Sequence, residues 1–368
     1  MLLLGLVLLQ LAGGCLAQVS AQAAPPLSCA DQYGENLRFL GAAKSAQIGP
    51  IRYSYHRFGN STTNKPALVI LQGLGSTQYD WGAAMLQEFA ESREVIILDN
   101  ALVGLSVDIR ASTRNLTLTI PFMAQSTVTL ISTLKLRDRP DIMGLSMGGI
   151  IAQYIAAYHT NSVRSIVAAS SSYGKGAPEP VGGINAMLDY LSSPAVLQNL
   201  TILLPLGMAD PGFLPLYMHI MAVQCSVGAV NGTDAGYALA AGIIPSDITA
   251  IAPVPLPVRA NQAGAIRSLW ATTSLLPRLA ASKRRVLFIH GTDDIIFPIA
   301  TASQAAAAVP NSWLIEVEGA GHCVMCADSV GFAQKVLQFL NANEREDKRE
   351  RKALQAAATR LCPLANSP

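Results

Sequence analysis

The sequence predicts an α/β fold, with a mostly parallel central sheet, helices on both faces and a helical cap inserted late in the chain. Three observations carry this expectation. Short, continuously apolar runs recur along the chain, as strands buried on both faces of a parallel sheet require. Helical patterns lie between several of them, and strands alternating with helices imply a sheet wrapped on both sides. One interval, from Gly174 to Ser282, breaks the alternation and contains no secure strand.

The elements follow in order. Ile51 to Arg57 alternates polar and apolar residues like a half-buried strand, and Gly59-Asn60 ends it. Ala67 to Leu71, Glu94 to Asp99, Asp141 to Met143, Ser165 to Ala169, Arg285 to His290 and Trp313 to Val317 supply the further strands. Met85 to Phe89, Phe122 to Leu136, Ile150 to Tyr158 and Val330 to Leu340 read as helices. Inside the interruption, Ile184 to Leu191, Phe213 to Val223 and Ala265 to Leu276 read as helical with few charges. Most of their apolar side chains are expected to form the cap's own core, and the remainder a wall facing substrate. Glu344 to Lys352 mixes charge signs at helical spacing, as a solvated helix does.

At 368 residues the chain can bury one large core, so a single domain with an insertion fits better than two independent ones. The expected organisation is a leader at 1–23, core at 35–173, cap at 174–282, core again at 283–342, and a charged tail helix at 343–368. With 14% charged residues and a net charge of +2, no basic face for nucleic acid is implied.

Residues 1–23 have the form of a secretory leader, an apolar run followed by small residues, with possible cleavage after Ala17 or Ala23. No Lys or Arg precedes the run, so anchorage to a membrane through residues 1–17 is the alternative. Asn60, Asn115, Asn199 and Asn231 each begin an Asn-X-Ser/Thr sequon, consistent with a secreted or lumenal glycoprotein. Without the leader the cysteines are Cys29, Cys225, Cys323, Cys326 and Cys362, which permit two disulfides and a free thiol in a pairing the sequence leaves open. Cys323 and Cys326 beside His322 have no second pair at zinc-like spacing, so no metal is expected.

The chemistry centres on Gly144-Leu145-Ser146-Met147-Gly148-Gly149, which follows an apolar strand and precedes a helical stretch. A serine hydroxyl is a poor nucleophile, and a sharp strand-to-helix turn exposes it to a base on one side and to backbone N–H groups on the other. Of five histidines, His56 and His290 fall in strands, His159 ends a helix and His219 lies in the cap. Only His322, in Gly319-Ala320-Gly321-His322, occupies a loop after the last strand, which makes it the candidate base. Asp293 and Asp294 follow the strand that ends at His290. Asp294, four residues before Pro298, is the preferred acid, although spacing alone does not separate the pair. The oxyanion donors are expected to be the backbone N–H groups of Met147 and of Leu74, in Gln72-Gly73-Leu74-Gly75.

With these motifs in place, the chain resembles the α/β-hydrolase superfamily in its small-molecule branch. The resemblance rests on Leu71 to Gly75 with Trp81, Leu98 to Ser106, the Ser146 elbow, Gly291 to Pro298, and Gly319 to His322. It implies the α/β-hydrolase fold with a Ser-Asp-His triad, no cofactor, and esterase, lipase or enol-lactonase chemistry. Two departures stand out. Gln72 occupies a position where relatives have His, and is expected to hydrogen-bond the loop instead. The turn from Asp99 to Ser106 lacks the family's Arg, which puts its local geometry in question.

The expected activity is hydrolysis of an ester, lactone or thioester of a lipophilic small molecule. One alternative is a proline-iminopeptidase-like aminopeptidase, which would need a cap carboxylate from among Glu179, Asp189, Asp210, Asp234 and Asp247 to hold the substrate amine. The other is a catalytically silent binding protein on the same fold.

Overall fold

A computed structural model of the chain describes residues 38–81, 83–110, 116–193, 254–326 and 328–361. The leader, Asn115, Asn199, Asn231, His219, Cys29, Cys225, Cys362, the expected helix at 213–223, and Asp210, Asp234 and Asp247 lie outside them.

The strands are β1 (Lys44–Ile48), β2 (Ile51–Gly59), β3 (Leu68–Leu71), β4 (Glu94–Leu98), β5 (Val107–Asp108), β6 (Asp141–Leu145), β7 (Ser165–Ala169), β8 (Arg285–Gly291) and β9 (Ser312–Val317). They form one sheet in the order β1-β2-β4-β3-β6-β7-β8-β9, with β5 beside β2. Pairing is antiparallel around β2 and parallel from β4 through β9. The register aligns the carboxyl ends: Leu71 lies opposite Gly144, and Leu145 opposite Ala169.

The helices are α1 (Ala83–Ser92), α2 (Ile120–Thr133), α3 (Met147–Tyr158), α4 (Ile184–Leu191), α5 (Leu256–Thr272), α6 (Leu276–Ser282), α7 (Ile299–Ala308) and α8 (Ser329–Leu361). Alternate strand residues point to opposite faces, and the core divides accordingly. Val69, Ile142, Ile166 and Val286 join Ile150 and Ile155 of α3, Leu130 of α2 and Leu279 of α6. Leu68, Ile70, Met143, Val167 and Leu287 join Leu86 and Phe89 of α1 with Phe332, Val336 and Leu340 of α8. Within the expected cap interval the described helices are α4, α5 and α6; residues 194–253 are outside the description.

The structure adds two strands and two α-helices to those read from the sequence, one of them α6: where the sequence reads a helix over Ala265 to Leu276, α5 ends at Thr272 and α6 begins at Leu276. β1 is an edge strand with polar, mostly exposed positions, β5 is two residues long, and α7 is mostly Ala, Ser and Thr, with Ile299 its one large apolar residue. It also corrects the tail. α8 runs unbroken from Ser329 through Leu361, so the helix after β9 and the charged segment are one element. Its acids are not simply solvated: Glu344 pairs with Arg93 at 3.1 Å, and Asp347 with Arg164 at 3.2 Å. Arg93 and Asp141 are fully buried, so a carboxylate arriving from α8 lowers the cost of keeping Arg93 charged. Among the described residues no helix is long and apolar enough to cross a membrane.

Candidate active site

Ser146 stands between β6 and α3 with φ 52° and ψ −118°, a backbone conformation that costs a non-glycine residue roughly 1–3 kcal/mol. Close packing holds it there. A Cβ on Gly144 would lie 2.1 Å from the carbonyl carbon of Gly148, and one on Gly148 would lie 2.1 Å from the Leu71 oxygen. Only glycine at both positions lets helix, strand and turn approach this closely. The Ser146 N–H donates to the Ala169 carbonyl at 2.9 Å, and the Ser146 carbonyl accepts from the Ser171 hydroxyl at 2.8 Å. Gln153 braces this contact by donating to Ser171 Oγ and to the Ser172 carbonyl. The Ser146 hydroxyl does not cap its own helix.

Asp294 and His322 are brought together, both buried, by the loops that leave β8 and β9. His322 Nδ1 lies 2.9 Å from Asp294 Oδ2 and 3.1 Å from Oδ1. Asp294 Oδ1 also accepts the backbone N–H groups of Ile296 at 2.8 Å and Phe297 at 3.0 Å. This separates the two aspartates: Asp293 is exposed and takes a hydrogen bond from Thr292, while Asp294 turns inward. Phe297 packs edge-on against the His322 ring and also stacks with Trp270 of α5.

His290, assigned in sequence to a buried strand, is a further neighbour of this pair. Its Nε2 lies 2.6 Å from the Phe297 carbonyl and 2.9 Å from Asp294 Oδ2. A carbonyl only accepts, so Nε2 carries the proton and is shared between the two oxygens. Burial alone would raise the pKa of Asp294. The charge of His322, then hydrogen bonds from His290 and His322, outweigh it and hold the carboxyl well below the usual range. Asp294 is therefore an anion at neutral pH.

The loop after β3 passes over the elbow. A Cβ on Gly73 would stand 3.5 Å from the Ser146 Cβ, which places the 72–75 segment, with Leu74, beside Met147 at the start of α3. Gly75 N–H donates to Gln262 Oε1 of α5 at 2.9 Å, so the cap reaches down to hold this loop. The sequence offered no sign of that contact. The expected loop contact of Gln72 is not found: its side chain is buried, and among the described residues neither end of the amide has a hydrogen-bond partner. The backbone carbonyl of Gln72 instead accepts from Asn100 at 3.4 Å.

The turn lacking the family Arg is ordered around Asp99. Its carboxyl accepts from Gln78 N at 2.7 Å, Gln78 Nε2 at 2.9 Å and Leu105 N at 2.9 Å, while Ser106 Oγ donates to the Asp99 carbonyl. Burial pushes the Asp99 carboxyl up to about 7 against these hydrogen bonds.

Other groups are engaged elsewhere. Glu179 accepts from Ile184 N and from Trp270 Nε1, and Asp189 pairs with Arg267 at 2.6 Å. Among the described residues no group of three or more His, Cys, Asp or Glu could hold a metal. Cys323 is disulfide-bonded. Asn60 is exposed, and its Oδ1 accepts from Thr62 of the same sequon. A 580 Å³ pocket lined by Arg137, Arg164, Arg284 and Asp347 lies at the opposite, amino-terminal end of the strands and contains none of the candidate residues.

Residues 68–332 match the model of the Alpha/beta hydrolase family. An uncharacterized protein of Mycobacterium tuberculosis is 24% identical over 300 residues, covering 79% of this chain and 80% of its own. Among solved structures, a bacterial membrane phospholipase A aligns with a TM-score of 0.65 at 20% identity, over 93% of this chain and 98% of that one. An enol-lactonase from Burkholderia xenovorans LB400 aligns with a TM-score of 0.60 at 20% identity, over 81% of this chain and 100% of that one. At these identities the structural likeness establishes the fold.

Proposed function

Because the chain belongs to the alpha/beta hydrolase family, we propose that it is a serine hydrolase that cleaves carboxylic esters of lipophilic small molecules through an acyl-enzyme. Lactones and thioesters fall within the same chemistry. The observation that carries this reading is the buried Asp294–His322 pair over the end of the sheet that also presents Ser146. β6 and β8 flank β7, so their ends stand about 10 Å apart, a gap that a carboxylate and an imidazole span.

Asp294 accepts the proton on His322 Nδ1 and thereby leaves Nε2 as the basic nitrogen. Nε2 takes the Ser146 proton as Oγ attacks the ester carbonyl. The Met147 and Leu74 N–H groups stabilise the resulting oxyanion, each worth about 3 to 4 kcal/mol in the transition state. The positive end of α3 adds to this field. His322 then protonates the departing alcohol, and water activated by the same imidazole releases the acid and restores Ser146.

The amine-holding carboxylate of an aminopeptidase finds no support in Glu179 or Asp189, both committed to other contacts. The leader-like start, the exposed sequon at Asn60 and the disulfide at Cys323 support maturation in an oxidising compartment, with the product secreted or retained in an endomembrane lumen. Ser146→Ala is expected to abolish hydrolysis of 4-nitrophenyl butyrate; full activity in that variant would refute the mechanism.

A further inference from the structure

The first two turns of helix α5 send three polar side chains toward neighbouring segments. Asn261 donates to the Leu116 carbonyl at 2.6 Å and accepts from Leu118 N at 2.8 Å, and Gln262 accepts from Gly75 N. Arg259 differs from both. It is only 5% exposed, Nη2 donates to the Leu191 carbonyl at 2.6 Å, and among the described residues Nε has no hydrogen-bond partner. No carboxylate among the described residues pairs with it.

Three unfavourable conditions coincide at this guanidinium. It is desolvated, which is costly for any uncompensated charge. Among the described residues it has one carbonyl where a planar fork of five donors invites a bidentate anion. It also occupies the first turn of α5, the positive end of the helix, in a turn that contains no acidic residue. An arriving anion relieves all three.

The position of Arg259 relates it to the catalytic elbow. A Cβ on Gly75 would lie 2.8 Å from Arg259 Nε, and one on Gly73 would lie 3.5 Å from the Ser146 Cβ. One residue, Leu74, separates those glycines, so Arg259 Nε and the Ser146 Cβ are no more than about 17 Å apart, along the loop that carries the Leu74 N–H. We propose that Arg259 is the anion-recognition element of the substrate site. The acyl chain of the preferred ester then ends in a carboxylate that docks on this guanidinium while its carbonyl meets Ser146. This rests on the serine-hydrolase reading and narrows it from lipophilic esters to half-esters of dicarboxylic acids.

The test compares 4-nitrophenyl monoadipate and monosuberate with the neutral hexanoate and octanoate. The wild type is expected to favour the anionic member of each pair at least tenfold in kcat/KM, chiefly through KM. Arg259→Gln is expected to lower that anionic-to-neutral ratio at least tenfold, and Arg259→Lys to restore part of it. A wild type that prefers the neutral esters overturns the proposal. So does an equal loss on both substrates in Arg259→Gln, which would make Arg259 only a cap on the last carbonyl of α4. Should that variant fail to fold, adipate must slow fluorophosphonate labelling of wild-type Ser146 more than the dimethyl ester does, and equal rates overturn the proposal. Absence of turnover of all four esters, together with absence of labelling, refutes the catalytic reading itself.

Discussion

Asp294→Asn isolates the function of the buried carboxylate with little change in volume. Asp294 Oδ1 accepts two backbone N–H groups, from Ile296 and Phe297, and the side-chain oxygen of asparagine can keep both. The amide nitrogen then falls where Oδ2 now stands, 2.9 Å from His322 Nδ1 and 2.9 Å from His290 Nε2. An NH2 group there donates to His322 Nδ1, which moves the imidazole proton to Nε2 and removes the lone pair that must accept the Ser146 proton. A loss of about ten-thousandfold in kcat is expected from a wrong tautomer in a triad, equivalent to about 5.4 kcal/mol on the barrier. The assay is steady-state hydrolysis of 4-nitrophenyl butyrate, with Asp293→Asn as the control, since Asp293 is exposed and its side chain accepts a hydrogen bond from the neighbouring Thr292. The control should remain within about threefold of wild type, as an exposed site distant from the chemistry allows. If Asp294→Asn retained a tenth of the activity while Asp293→Asn lost most of it, the assignment of the acid would be wrong.

Three further outcomes follow from the same geometry. Gly148→Ala places a Cβ 2.1 Å from the Leu71 oxygen, so the elbow must shift by more than 1 Å; kcat should fall at least a hundredfold, with a measurable drop in Tm. Gln262→Ala removes the acceptor for Gly75 N–H and should lower kcat about tenfold with little change in KM, while Gln262→Glu, which keeps an acceptor, should recover much of it. Burial pushes His56 down to about 4, so the folded state keeps it neutral while the unfolded chain takes up a proton near 6.5. Its contribution is present above pH 6.5 and is lost as pH falls toward 4, by up to about 3 kcal/mol. His56→Phe should therefore lose less stability than wild type over that window in urea titrations, and parallel curves would contradict the assignment.

Much of the fold was legible because the parallel strands are buried on both faces, which forces continuous apolar runs such as Leu68 to Leu71 and Ser165 to Ala169. The elbow was legible because close backbone approach admits only glycine at positions 144 and 148. β1 was not, since an edge strand with exposed Lys44 and Ser45 carries no apolar signal. α7 is mostly Ala, Ser and Thr and thus shows no apolar periodicity. In the site, the choice between Asp293 and Asp294 depends on which carboxylate the Ile296 and Phe297 N–H groups turn inward, a detail below the resolution of spacing. His290 read as a core residue because nothing local showed that the turn after β8 folds Asp294 back onto it, although their i, i+4 spacing is a usable sign. Gln262 meets Gly75 from 187 positions away, a contact that leaves no trace in local sequence.

The central claim is that Ser146 is the activated nucleophile of this fold, and covalent labelling tests it most directly. Wild-type protein treated with a fluorophosphonate probe is expected to carry one adduct, which peptide mass mapping places on Ser146. Ser146→Ala should carry none, and His322→Ala should label at least a hundredfold more slowly, as loss of the general base requires. A folded wild type that fails to label, or an adduct on any other residue, would contradict the account.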